Sequence, residues 1–178
     1  MSSDTSPPAI KNRRLAIAFE ASQDLYFLGT PVEGLEFAVK LLSDLVPCDA
    51  VSACIYDINT DEFRFVALTG PGGSERRAEA VPSTEGLLAA AVRAGKDTFV
   101  ASNVENDPRY DPAVDGRVGL TVDTIAYLLL QKGDNLLGIL QLINRRNRTG
   151  FTDADMAVAG YLSSQVAEFL QARRGGRR

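Results

Sequence analysis

The 178-residue chain contains no histidine. That absence excludes haem held by imidazole, most zinc sites, and every reaction that uses imidazole as its base. Cysteine is nearly as scarce. Cys48 and Cys54 are the only two, and two free thiols are the default of a reducing, cytoplasmic setting. No apolar run is long enough to suggest a membrane span, and the polar, Pro-rich start MSSDTSPPA lacks the make-up of a targeting segment. Positive charge is in short supply too. Nineteen Lys and Arg against 23 Asp and Glu leave a formal charge of −4, the wrong balance for a nucleic-acid binder, whose phosphate contacts need cations. The exception is the end, RRGGRR, where Arg173, Arg174, Arg177 and Arg178 read either as a solvated tail or as a patch for an acidic partner.

What is present suffices for one domain. Apolar residues make up 45% of the chain, enough for a full core, and the expected organisation is a disordered lead over 1–10, one domain over 11–172 and a basic tail over 173–178. Helical spacing runs from Lys11 to Leu28 and again from Val32 to Val46, broken by Gly29-Thr30-Pro31 and stopped by Pro47. The period then changes to two: Val51, Ala53 and Ile55 alternate with Ser52, Cys54 and Tyr56, and Glu62–Thr69 reads as the antiparallel partner. A helix is expected from a cap at Ser83 or Thr84 to Gly95, followed by a strand over Thr98–Ala101. Two apolar strands, Asp123–Gln131 and Leu136–Asn144, flank the hairpin signal KGDN. Thr152 with Asp155 resembles a capping box and opens a last helix to about Arg173. Hairpins outnumber crossovers, which predicts an α+β fold.

The stretch Asn103–Gly119, NVENDPRYDPAVDGRVG, is the most informative. Connections of about twenty residues inside a compact domain tend to be lids or binding loops. This one predicts its own short helix, with Asp111 as N-cap, Pro112 at the first position, and Gly119 placed to end it. Asp107 and Asp111 fit turn chemistry rather than a catalytic pair, and Arg109 is expected to tie the loop to its aspartates.

That connection, with TIAYLLLQKGDNLLGILQLINR and GFTDADM after it, resembles a GAF domain from about Leu15 to Leu170. The resemblance implies a PAS-related fold: a central antiparallel sheet of about six strands, terminal helices on one face, and pocket helices with a long loop on the other. Many GAF domains carry an Asn-Lys…Phe…Asp-Glu signature associated with cyclic nucleotides. Asn144, Phe151 and Asp155 stand at matching places, with Arg145 for the lysine and Met156 for the final glutamate. An Arg145–Asp155 pair is expected to be an ordinary solvent-exposed one, worth about 0–1 kcal/mol.

The resemblance also implies the pocket lining. Ser52, Cys54 and Tyr56 come from the first strand, Leu68 and Thr69 from the next, and Leu87 and Leu88 from the inserted helix. Val114, Asp115, Val118 and Val122 come from the connection, with Thr124 and Gln141 from the last hairpin. Valines at 118 and 122 and the amide at 141 remove polar partners that cyclic-nucleotide-binding relatives show, and three aspartates in the connection oppose phosphate. A neutral or apolar ligand, or a plain packed core, fits better. No cofactor is implied. A bilin needs a cysteine on the connection or inserted helices, and a methionine sulfoxide reductase needs cysteines lining the pocket, so a non-catalytic domain is expected.

Two functions follow from the resemblance: a sensor whose ligand orders the connection, or a ligand-free dimerisation and docking module. For the second, Leu15 and Phe19 of the first helix and Leu162, Val166 and Phe169 of the last would form a helical bundle with a second chain. Either way the output is a partner signalling protein. The first residues read as a natural start, which favours a stand-alone regulator over a fragment.

Overall fold

The computed structural model describes the backbone of residues 7–175 and the side chains of 13–174. The ends of the expected lead and tail, including Arg177 and Arg178, lie outside the described residues. Helix α1, Pro7–Ser22, runs into a 3₁₀ turn over Gln23–Phe27 and is followed by α2, Pro31–Leu45. Then come β1 (Cys48–Asp57), β2 (Glu62–Leu68), the single-turn α3 (Gly73–Arg76), β3 (Ala80–Pro82), α4 (Gly86–Ala94) and β4 (Thr98–Ser102). A short α5 (Pro112–Asp115) interrupts the long connection. The chain closes with β5 (Thr124–Lys132), β6 (Asn135–Arg145) and α6 (Asp153–Gly175). The six strands form one sheet in the order β3-β2-β1-β6-β5-β4, antiparallel at every pairing. The expected α+β, six-stranded GAF-like architecture is the one observed.

Local chemistry sets the helix ends. Thr30 Oγ1 accepts the Glu33 N–H at 3.2 Å while Glu33 Oε2 accepts the Gly29 N–H at 2.8 Å, with Pro31 opening α2. Thr152 and Asp155 form the reciprocal capping box that starts α6, at 3.1 and 2.8 Å. Gly95, at φ 64°, ends α4 in the left-handed conformation.

Each face of the sheet has its own core. On one side α2 and α6 cover Val51, Ala53, Ala126, Leu128, Leu140 and Leu142, because these occupy one parity of the strands. On the other, α4 and the connection cover Cys54, Phe63, Phe65, Ile125, Tyr127, Leu129, Ile139 and Ile143. A bulge between Ala53 and Cys54 shifts the β1–β2 register, which turns both Phe65 and Leu68 toward the second face.

Three of the residues expected to form a dimer bundle are used up here. Leu162, Val166 and Phe169 are 1%, 1% and 5% exposed within the domain's own core. Their stripe covers this sheet, and one stripe cannot face two partners. Leu15 is half-buried against the same core. Only Phe19, 59% exposed, remains open. Phe169 also fixes the approach of α2 to α6: a Cβ on Gly34 would stand 2.3 Å from its ring. Gly34→Ala is therefore expected to lower stability by about 1–3 kcal/mol, because this core cannot move aside without strain. Urea unfolding, with an unchanged slope and a lower midpoint, checks this.

Candidate functional site

The connection folds over the second sheet face as a lid. A 3₁₀ turn spans Val104–Asn106, and Arg109 then grips Asp107 with Nε at 3.0 Å and Nη2 at 2.7 Å. That contact holds the half-buried Asp107 carboxyl down to about 2. Asp111 caps α5 by accepting the Ala113 N–H at 2.9 Å. The helix does not end at Gly119 as expected. It ends at Gly116 because Arg76 takes its terminal carbonyls, those of Ala113, Val114 and Gly116, at 2.8, 2.8 and 3.1 Å. Gly119, at φ 77°, instead lies in the turn closed by the Arg117–Leu120 bridge.

Asp115, the last residue of α5, turns inward and is fully buried. Its Oδ2 accepts the N–H groups of Leu87 at 2.7 Å and Asp111 at 3.0 Å, and its Oδ1 those of Leu88 at 3.1 Å and the Tyr127 hydroxyl at 2.6 Å. The expected caps Ser83 and Thr84 are displaced. Helix α4 starts after Glu85, which gives no side-chain cap, and the lid's carboxylate caps it instead. Gly86 permits this: it sits at φ 74°, and a Cβ there would stand 2.5 Å from Asp115 Oδ2. Burial raises the Asp115 carboxyl above its ordinary value, against the Tyr127 and backbone donors that lower it. Burial and Asp115 together push the Tyr127 hydroxyl well up.

The network continues across the sheet. Gln141 Nε2 donates to Tyr127 Oη at 2.9 Å and to the Asp115 carbonyl at 3.0 Å. Ser52 donates to Gln141 Oε1 at 3.3 Å, and Arg117 Nη2 donates to Ser52 Oγ at 2.7 Å. The same guanidinium reaches the carbonyls of Val51, Thr69 and Pro71 at 3.2, 2.7 and 2.9 Å. Lid, sheet and α4 are thus joined through one buried polar chain. Side chains fill the space beside it. The cavity lined by Cys54, Phe65, Leu88, Val114, Tyr127 and Gln141 measures about 10 Å³, room for one water. A larger opening of about 360 Å³ lies on the lid's flank, between α3 and α5, with Arg76, Arg117 and Tyr110 in its walls.

Ser52, Cys54, Leu87, Leu88, Val114, Asp115, Val122 and Gln141 therefore come together, with Leu68 half-buried beside them. Tyr56 lies on the expected face at the margin of that core, its hydroxyl on Asp61 at 2.6 Å and its ring on Phe63. Three expected pocket residues do not join it. Thr69 follows Leu68, and adjacent strand residues face opposite ways; its hydroxyl lies 3.2 Å from Ser43 of α2. Thr124 has the parity of Ala126 and Leu128, and its hydroxyl accepts the Arg145 N–H at 3.2 Å. Val118 is 68% exposed because the helix stops before it. Three important residues were not foreseen. Tyr127 was legible in the Ile125-Tyr127-Leu129 alternation. Arg76 and Arg117 gave no signal, since arginines in Gly-rich loops read as solvated.

The signature positions hold the far edge. Asn144, at φ 58°, accepts the N–H groups of Asp123 and Thr124 at 2.7 and 3.2 Å. Its amide donates to the Thr121 carbonyl at 2.8 Å and to Asp49 at 3.0 Å. The Arg145–Asp155 pair is not the exposed one expected. Asp155 is fully buried, with Arg145 Nε at 2.8 Å and Nη2 at 3.2 Å, and Arg14 of α1 adds Nη1 at 2.9 Å. Phe151 is half-buried just before the capping box. Both thiols are buried; Cys48 packs with the helix-side core, where burial pushes it up to about 11, and Cys54 on the lid side is raised as well.

The sequence model described as "GAF domain" matches residues 31–171. No curated protein matches. Among solved structures, the GAF domain from a phosphoenolpyruvate-protein phosphotransferase of Coxiella burnetii is 20% identical, with a TM-score of 0.78 over 93% of this chain and 96% of that one. The free methionine-R-sulfoxide reductase from Neisseria meningitidis in complex with its substrate is 18% identical, with a TM-score of 0.75 over 98% and 95%. A methyl-accepting chemotaxis protein, residues 122 to 287, is 15% identical, with a TM-score of 0.76 over 88% and 98%. At these identities the likeness is one of fold.

Proposed function

Because the chain belongs to the GAF domain family, one of regulatory and sensory domains, we propose that it is a non-catalytic regulatory module that pairs with a second copy through its first helical segment and acts on a partner signalling protein. One observation carries this reading. Ile17, Phe19, Tyr26 and Phe27 are 42%, 59%, 66% and 87% exposed, all on α1 and the 3₁₀ turn after it. Large apolar side chains gathered on one segment mark an interaction surface. The filled space beneath the lid supports the same reading, since a volume of about 10 Å³ holds no metabolite.

Catalysis of the methionine sulfoxide reductase kind has little support here. Cys48 and Cys54 lie in the cores of opposite sheet faces, and raised thiol values leave little thiolate. Among the described residues no helix is long and apolar enough to cross a membrane, and the proposed setting is the cytoplasm.

Sedimentation velocity and native mass spectrometry test the proposal. The chain is expected to be a dimer. Replacing Phe19 and Phe27 together by Glu removes about 3 kcal/mol or more of apolar burial, which weakens the dimer roughly a hundredfold. The variant is expected to be monomeric and cooperatively folded, with a midpoint of unfolding that no longer rises with protein concentration as the wild type's does. A monomeric wild-type chain, or a variant that still pairs, overturns it.

A further inference from the structure

The flank of the lid holds two buried cations and a cavity, and self-association accounts for neither. Arg76 and Arg117 are 5% and 7% exposed and line the same opening of about 360 Å³. We propose that this opening binds a small organic monocarboxylate, drawn in by the guanidinium groups of Arg117 and Arg76.

Hydrogen bonding explains where Arg117 sits but not why it is charged. Its two Nη groups donate to three backbone carbonyls and the Ser52 hydroxyl, while its Nε–H is buried with no acceptor. Among the described residues no carboxylate forms an ion pair with it. Carbonyl dipoles satisfy donors without cancelling a net charge, and a buried cation left uncompensated is strongly unfavourable. A neutral donor would staple the loop to β1 at lower cost. Arg76 has a single carboxylate partner, Glu79, at 3.3 Å and half-exposed. Burial first, and the positive charge of Arg76 second, lower the Arg117 guanidinium to about 10. An anion arriving between them relieves both effects.

The walls narrow the ligand further. The volume lies at the small end of metabolite sites. Val118, Leu120 and Pro112 offer an apolar side to the rest of the molecule. The Tyr110 hydroxyl, 3.0 Å from where a Cβ on Gly116 would stand, supplies a donor beside the Arg76 contacts. Glu75 and Glu79 also line the opening. Two carboxylates there weaken the pull of the two arginines on any anion, and because the desolvation cost grows with the square of the charge, a single carboxylate gains where a phosphate dianion does not. The site lies outside the filled space under the lid and is independent of how α1 pairs.

The test is a titration of the intact chain with sodium benzoate, read by NMR at the arginine Nε–H resonances. Sodium chloride at equal ionic strength and inorganic phosphate are the comparison arms. Saturable shifts at Arg117 and Arg76 are expected with benzoate, with weaker binding of phosphate. Glu75→Gln, at an exposed position, is expected to tighten benzoate about threefold. Three results overturn the proposal: benzoate shifts no larger than those of chloride, phosphate binding more tightly than benzoate, or no change of affinity in Glu75→Gln. Reading the unmodified protein keeps the test valid if Arg117 variants fail to fold.

Discussion

Replacing Asp155 by Ala is expected to cost about 3–5 kcal/mol, the usual loss when one partner of a buried ion pair is removed. The carboxylate is fully buried and serves three groups: Arg145, Arg14 and the Thr152 N–H at the start of α6. Without it, two guanidinium groups stay behind, 11% and 19% exposed, facing each other with no anion between them. Against a typical domain stability of about 5–15 kcal/mol, the variant keeps a fold only if the wild type starts near the upper end. Asp155→Asn keeps the shape and loses the charge, so its cost is expected to be only modestly lower.

The pH dependence gives a second check. The hydrogen bonds from Arg145, Thr152 and Arg14 outweigh burial and hold the Asp155 carboxyl down to about 2, below its unfolded value of 3.8. A lowered folded value means that ionised Asp155 stabilises the fold, fully above the unfolded value and less as pH falls through about 2. The wild type is therefore expected to lose stability between about pH 4 and pH 2, and Asp155→Asn to lose less over that range, keeping the smaller, solvent-screened part due to Asp107. Urea midpoints across this range decide it. An equal acid loss in Asp155→Asn would place the proton uptake elsewhere. Because Arg14 belongs to α1, the same variants are expected to loosen the helix proposed to pair, and to weaken the dimer along with the fold.

The contrast between Asp155 and Asp115 shows what the sequence makes legible. Two caps formed within a few residues were read, Asp111 with Ala113 and Thr152 with Asp155, while Thr30 with Glu33, read only as a break between helices, has the same local spacing. Their donors and acceptors lie on one local stretch, so spacing alone identifies them. The two strands flanking KGDN were readable in the same way, from alternation and a hairpin turn, whereas the six-stranded sheet came from the GAF resemblance and its strand order from the structure alone. Asp115 reaches 28 residues back to the Leu87 N–H, and no local pattern announces that. The errors at the site have the same origin. Thr69 and Thr124 were placed by the resemblance, whereas strand parity in this chain turns both to the helix side. Val118 was placed in the wall by the resemblance too, yet Arg76 stops the helix at Gly116 from across the lid and leaves Val118 exposed. The two arginines were invisible because their burial depends on where the lid lands.

Asp115→Ala is expected to cost about 4 kcal/mol, for a different reason from Asp155. No cation is stranded; four donors are. The N–H groups of Leu87 and Leu88 lose the only side-chain cap of α4, and Asp111 N–H and the Tyr127 hydroxyl lose their acceptor. The asparagine variant is informative because both carboxylate oxygens accept two donors each. Whichever way the amide turns, its NH₂ meets at least one backbone N–H, at Leu87 and Asp111 or at Leu88. The hydroxyl of Tyr127 can reverse and accept, so the amide faces that side and the cost falls to about 1–2 kcal/mol. Tyr127→Phe removes one donor of four and leaves Gln141 its bond to the Asp115 carbonyl, for about 1 kcal/mol. The expected order is therefore Ala above Asn above Tyr127→Phe, measured by urea unfolding with hydrogen exchange at Leu87 and Leu88. The pH term has the opposite sign to that of Asp155. Burial raises the folded carboxyl above 3.8, so its contribution is complete below that value and is lost as pH rises through the raised one. Removing Asp115 is expected to abolish this gain on acidification and leave the loss below about pH 4 due to Asp155 in place. If Asp115→Ala keeps the lid amides protected and the midpoint unchanged, the lid is held by Arg76 and Arg117 alone, and the carboxylate is not what joins it to α4.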